Sequence, residues 1–270
     1  MLRLSTRRST AIVRTLIVCL AVCASACGGS DGGSGEAPRA NGVPAASADI
    51  ALLFMGNSHT SSNDLTGMVA SMVRAARPGK TVTSVVAPGS MFLEERWHHA
   101  PSLALLQSQR WSAVVLQAQK YSMSGQFMYS TVEAEEFIRM IRAQSGLPVM
   151  FPEWPQLNVN ETQRIYDLHV SIAQRQAACV APIGQAWDLA LARHPSLTLH
   201  APDGNHSAPA GALLAALVIF TTLTNVSPLE VPYLAQFGVD AETQTRLREI
   251  AAETAQTVPP RQWCPGDAAI

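Results

Sequence analysis

The chain has little charge. Asp, Glu, Lys and Arg make up 14% of its 270 residues, and four of the arginines (Arg3, Arg7, Arg8, Arg14) fall in the first 26 residues, which hold no acid. The remainder carries 15 basic against 20 acidic groups and no basic cluster, which argues against a nucleic-acid partner. There is no G-x-G-x-x-G and no P-loop, and the one G-x-S-x-G (residues 28–32) lies in a glycine-rich stretch with no predicted strand before it, so nothing points to a dinucleotide, a nucleoside triphosphate or the α/β-hydrolase elbow. His98 and His99 have no carboxylate or cysteine at metal-ligand spacing; no metal and no cofactor are expected. No repeat with a period of tens of residues is visible. What is plentiful is apolar surface: 47% of residues are hydrophobic, enough at this length to bury a single-domain core.

The apolar run at residues 16–22 is too short to cross a bilayer. With the arginines before it and small residues after it, it reads as a secretory signal over residues 1–26. Ala24-Ser25-Ala26-Cys27-Gly28 resembles a bacterial lipobox, which would make Cys27 the lipid-attachment residue. The Gly/Ser/Ala/Pro-rich residues 27–48 then form a flexible tether. The expectation is an exported domain on the bacterial cell envelope, at its periplasmic or surface face, touching the membrane only through an N-terminal lipid. Cys19 and Cys23 leave with the signal, so Cys179 and Cys264 remain, and two thiols in an exported chain invite a disulfide.

From residue 49 onward, five apolar runs (50–55, 81–86, 113–117, 147–151 and 178–183) alternate with helix-like segments near 65–76, 92–109, 132–143 and 161–176. Helices at 185–193, 209–223 and 241–257 follow. This order predicts an α/β fold, a mainly parallel five-stranded sheet covered on both faces, in one domain over 49–270.

The first run ends in Gly56-Asn57-Ser58, a turn that lifts a hydroxyl above the carboxyl edge of the sheet, where ligands of open α/β sheets bind. Nearly 150 residues later stand Asp203 and His206, spaced so that a carboxylate meets its own imidazole and leaves the other ring nitrogen for a hydroxyl. Together with a glycine after the second run (Gly89) and a polar amide after the third, these segments resemble the SGNH (GDSL-like) hydrolase family over about residues 49–225.

The resemblance implies a three-layer α/β/α, flavodoxin-like fold and ester hydrolysis without metal. It would make Ser58 the nucleophile, His206 the general base and Asp203 its orienting partner. Backbone N–H groups of Ser58 and Gly89 would form the oxyanion hole. The family's usual Gly-x-Asn after the third strand is here Gln117-Ala118-Gln119, so Gln119 is expected to supply the third donor, with Gln117 its rival. Asn57 is expected to shape the turn. His59 is expected to point away from its neighbour Ser58, and Trp154 either lines the substrate cleft or packs within its loop.

The expectation is therefore a lipid-anchored serine esterase, of carboxylesterase or carbohydrate O-acetylesterase type, acting on a small-molecule or glycan ester through an acyl-enzyme. The alternatives are an O-acyltransferase on a sugar and a non-catalytic glycan- or envelope-binding lipoprotein, the last favoured by the altered third segment.

Overall fold

The protein is described from a computed structural model, over residues 48–270. The signal, Cys27 and nearly all of the tether lie outside the described residues.

Five parallel strands form one sheet: β1 (Ile50–Met55), β2 (Val82–Val86), β3 (Ala113–Gln117), β4 (Leu147–Phe151) and β5 (Cys179–Val180), in the order β2-β1-β3-β4-β5. The helices are α1 (Ser58–Ser61), α2 (Leu65–Ala76), α3 (Leu93–Trp97), α4 (Ala100–Gln107), α5 (Val132–Ala143), α6 (Thr162–Arg175), α7 (Ile183–Arg193), α8 (Pro209–Thr224) and α9 (Ala241–Thr257).

Successive side chains of a strand point to opposite faces, and β1 is buried throughout, so its residues divide between two cores. Ile50, Leu52 and Phe54 join Ala113, Val115, Val149 and Phe151 beneath α2, α7, α8 and α9. Ala51, Leu53 and Met55 join Val114, Leu116 and Met150 against α3, α4, α5 and α6. A sheet that is apolar on both faces needs a helical layer on each, and these two clusters are the two interfaces of an α/β/α sandwich. The helix α8 is apolar all round because α2, α7, α9 and β4 surround it.

Two expectations needed correction. The segment 92–109 is two helices, broken at His98 and His99, because Pro101 has no N–H to continue the first and suits the first turn of the second. The fifth strand shrinks from 178–183 to two residues, since Pro182 cannot donate to the ladder and α7 begins at Ile183. The C-terminal tail covers this short edge. Val180 donates to the Pro260 carbonyl (3.0 Å), and Cys179 is bonded to Cys264 with the Cα atoms 5.0 Å apart.

The chain enters the sheet at β1, moves outward to β2, then crosses back over β1 to β3. The loops after β1 and β3 therefore diverge, and the crevice between them at the carboxyl edge is where such sheets bind ligands. Ser58 follows β1 and Gln117–Gln119 close β3, so both border it.

Candidate active site

The turn after β1 is too tight for any side chain at Gly56. A Cβ there would sit 2.2 Å from the Thr60 hydroxyl oxygen and 2.4 Å from Gln117 Oε1. Asn57 caps the following helix turn, its Oδ1 accepting the His59 N–H at 3.0 Å. The cap places Ser58 as the first helical residue. Among the described residues, neither the Ser58 nor the Gly89 N–H donates to a protein acceptor, so both remain available. Gly89 has φ +80°, a left-handed conformation that glycine adopts without strain.

The loop between α7 and α8 carries the partner groups. Asp203 Oδ1 accepts the backbone N–H groups of Asn205 (3.0 Å) and His206 (2.9 Å), which bends the chain back on itself. Ala201 N–H to the His206 carbonyl (2.8 Å) and Leu157 N–H to the Gly204 carbonyl (2.8 Å) fix the bend. The Asn63 amide reaches across to the Ser207 carbonyl at 2.6 Å, tying this loop to the segment after Ser58.

These constraints bring the three residues into one hydrogen-bonded line. His206 Nδ1 lies 2.5 Å from Asp203 Oδ2, and His206 Nε2 lies 2.8 Å from Ser58 Oγ. A carboxylate accepts only, so Nδ1 carries the proton and Nε2 presents a lone pair to the Ser58 O–H. The hydrogen bond from His206, followed by the two backbone N–H groups, holds the Asp203 carboxyl well below the usual carboxylate range.

His59 does not point away from this centre. Its ring stacks on His206, centroids 5.3 Å apart and 22° between planes, and Trp154 packs on it at 4.9 Å. His59 Nε2 faces the Asn205 carbonyl at 3.2 Å. Burial first, then the neighbouring His206, pushes its pKa down to about 4, so it is neutral at neutral pH. A buried neutral ring against one face of His206 fixes the plane in which that imidazole moves.

The two glutamines do not stand where the sequence placed them. Gln119, expected as the third oxyanion donor, is 4% exposed and spends both amide hydrogens on the Lys120 (3.1 Å) and Ser130 (2.8 Å) carbonyls. The reason is Ala118, whose φ of +71° turns the chain after β3 and folds Gln119 under the 120–130 loop. Its rival Gln117 is fully buried. Its Oε1 accepts the Asn57 N–H (2.8 Å) and the Thr60 hydroxyl (2.9 Å), which fixes the amide's orientation, and its Nε2 donates to Glu153 Oε2 at 2.6 Å. Gln117 organises the turn below Ser58 and donates to Glu153, and Gln119 has no amide hydrogen left for an oxyanion. Trp154, considered as a cleft wall, is instead 2% exposed. It lies behind the site, stacked on Trp187 at 4.6 Å, with its indole N–H on the Asn205 carbonyl at 2.9 Å.

Two residues with evident work here escaped the sequence reading. Arg96, on the short helix α3, has no solvent exposure. Its guanidinium donates to the carbonyls of Gly56 (2.5 Å), Pro88 (3.0 Å) and Gly89 (2.7 Å) and to the Ser102 hydroxyl (2.7 Å). One side chain thus fastens the loop after β2 to the turn after β1. Glu153, after β4, lines the cavity of about 480 Å³ that opens onto Ser58. Burial chiefly, and Glu161 further, push its pKa up to about 7 against the hydrogen bond from Gln117. Its place between Pro152 and Pro155 at the carboxyl edge was the available signal.

No protein-family model matches the sequence, and no curated protein is significantly similar to it. Solved structures are similar. A DUF4886 family protein from Bacteroides uniformis superposes with TM-score 0.61 at 18% identity, over 78% of this chain and 96% of that one. A protein proposed to be an SGNH hydrolase, from Slackia heliotrinireducens, gives TM-score 0.48 at 22% identity over 63% and 97%. TesA gives 0.48 at 16% over 65% and 98%. The fold is accordingly an α/β/α sandwich shared with the Bacteroides protein. At such identities the likeness speaks of fold; the chemistry has to be argued from the site.

Proposed function

We propose that the protein is a serine ester hydrolase working through an acyl-enzyme. The observation that carries this reading is the line Asp203–His206–Ser58, with contacts of 2.5 and 2.8 Å between segments 148 residues apart in sequence. Ser58 Oγ attacks the acyl carbonyl as its proton passes to His206 Nε2, and Asp203 stabilises the imidazolium. The oxyanion takes the Ser58 and Gly89 N–H groups. Collapse expels the alcohol, which receives the proton from His206. Water then enters by the same route: His206 accepts its proton, the hydroxide attacks the acyl carbon, and Ser58 leaves with the proton returned.

In the proposed cellular setting, residues 1–26 are removed, Cys27 carries a lipid, and the domain works on the envelope at the end of its tether. The retracted glutamine amides favour one rival, a binding protein of the envelope with no turnover, because loss of one oxyanion donor lowers turnover by about 100- to 1000-fold.

The test is a rapid-mixing experiment with 4-nitrophenyl acetate. The enzyme reading expects a nitrophenol burst of one equivalent per active protein, absent from Ser58→Ala. A purified, folded protein with neither burst nor turnover on a panel of nitrophenyl esters leaves the binding reading.

A further inference from the structure

The cavity at Ser58 holds a carboxylate that the reaction does not use. Glu153 has one oxygen fixed by Gln117 Nε2 at 2.6 Å, and Gln117 is itself locked by the Asn57 N–H and the Thr60 hydroxyl. The carboxyl is therefore held rigidly relative to the turn that carries the nucleophile. Among the described residues it has no ion-pair partner. Lys120, the one lysine or arginine in this cavity's lining among the described residues, is engaged by Glu94 at 3.2 Å and Glu95 at 3.5 Å.

An acid beside a site where an oxyanion forms is electrostatically unhelpful unless something else occupies it. Above pH 7, where Glu153 ionises despite its burial, its carboxylate accepts hydrogen bonds and offers none, so its natural occupant is a donor on the bound molecule. The rest of the cavity says what kind of molecule. Asn57, Gln156 and Asn205 add polar groups to the lining, and Phe92, Tyr121 and Tyr129 add aromatic ones. Aromatic side chains together with a carboxylate and amides suit a ring that is apolar on its faces and hydroxylated at its edge. A second cavity of about 540 Å³ shares Lys120, Tyr121 and Tyr129 with it and offers neighbouring space for a larger alcohol. Both volumes fall in the range of small-molecule sites.

We propose that Glu153 is a specificity-determining residue that accepts a hydrogen bond from a hydroxyl on the alcohol half of the ester, so that the substrate class is an acylated sugar or polyol and not a plain alkyl ester. The inference rests on the hydrolase reading above and adds the identity of the alcohol. A hydrogen bond to an ionised group contributes about 10-fold or more in affinity, and a site built around a substrate hydroxyl discriminates strongly against the analogue that lacks it.

The experiment compares two acetates with the same acyl group: a monoacetate of methyl glucoside and cyclohexyl acetate, a ring of similar size without hydroxyls. Acetate release is measured for wild type, Glu153→Gln and Glu153→Ala, with melting temperature recorded for each. Glu153→Gln keeps an acceptor for Gln117 and removes the charge. Wild type should prefer the sugar ester by tenfold or more in kcat/KM. In both variants that ratio should fall about tenfold or more, mainly through KM. A wild-type preference below threefold, or a ratio unmoved in folded variants, overturns the proposal. A fluorophosphonate reaction at Ser58 runs alongside. Labelling with no sugar preference sinks only the role of Glu153; absence of labelling and of acetate from either ester sinks the hydrolase reading and this inference with it.

Discussion

Replacing Arg96 by methionine tests whether one buried cation organises the oxyanion side of the site. Methionine keeps the apolar stem and removes the guanidinium, which at present satisfies three backbone carbonyls and one hydroxyl without any exposure. An acceptor left without its partner costs about 1–3 kcal/mol when buried. Three such carbonyls at the low end sum to about 3 kcal/mol, and relief of the cation's own desolvation offsets part of that loss. We expect a net destabilisation of about 1–3 kcal/mol, read by urea unfolding. Turnover should fall further than stability explains, because the Gly89 loop is no longer fastened to Gly56. Loss of a positioned oxyanion donor corresponds to about 100- to 1000-fold in kcat. The assay is ester hydrolysis at a temperature where the variant is fully folded, with Ser102→Ala as comparison. That change removes one of the four acceptors and leaves the carbonyl clamp, so kcat should stay within about threefold and stability within about 1.5 kcal/mol. A folded Arg96→Met enzyme with wild-type kcat would refute the clamp.

Other outcomes follow from the same structure. Asp203→Asn should lower kcat by about 1000- to 10,000-fold with little change in KM, since an amide can no longer fix the His206 tautomer; steady-state kinetics on a nitrophenyl ester reads this. Acid should destabilise the fold through His59 and His169, both buried and both with pKa pushed down to about 4, largely by burial. Their neutral-state stabilisation is complete above pH 6.5 and is lost as pH falls from there toward 4, at up to about 1.4 kcal/mol per pH unit for each ring. His169→Gln should flatten the dependence of melting temperature on pH in that window and leave it unchanged above pH 7. Reduction of Cys179–Cys264, which closes a span of 85 residues, should lower stability by at most about 4 kcal/mol, measured as the shift in melting temperature on adding reductant.

Much of this molecule was legible in its sequence, for physical reasons that can be named. The runs at 50–55, 113–117 and 147–151 are strands because they are short, continuously apolar and followed by turn residues, which only a sheet covered on both faces accommodates. Residues 132–143 and 241–257 are helices at the expected bounds because each buries one stripe and exposes the rest. Ser58, Asp203 and His206 could be paired because a turn after β1 and a D-x-x-H bend carry local signals. What escaped depends on contacts that no local pattern encodes. Arg96 draws acceptors from 40 residues upstream and from the preceding loop. Gln119 stands where the family motif has its side-chain donor, and the left-handed Ala118 redirects it. For Trp154 the sequence leaves cleft wall and packed loop residue open, and the stacking on Trp187 with the Asn205 carbonyl decides for packing. Glu153 is one acid between two prolines in the sequence; its tie to Gln117 appears only when β3 and β4 lie side by side.

The central claim is that the Ser58 hydroxyl is a nucleophile activated by His206. A fluorophosphonate probe followed by peptide mass mapping addresses it directly. The account predicts one adduct per molecule, located on Ser58, abolished in Ser58→Ala and slowed at least 100-fold in His206→Ala. An adduct on another residue, or labelling of Ser58 at an unchanged rate in the His206 variant, would contradict it.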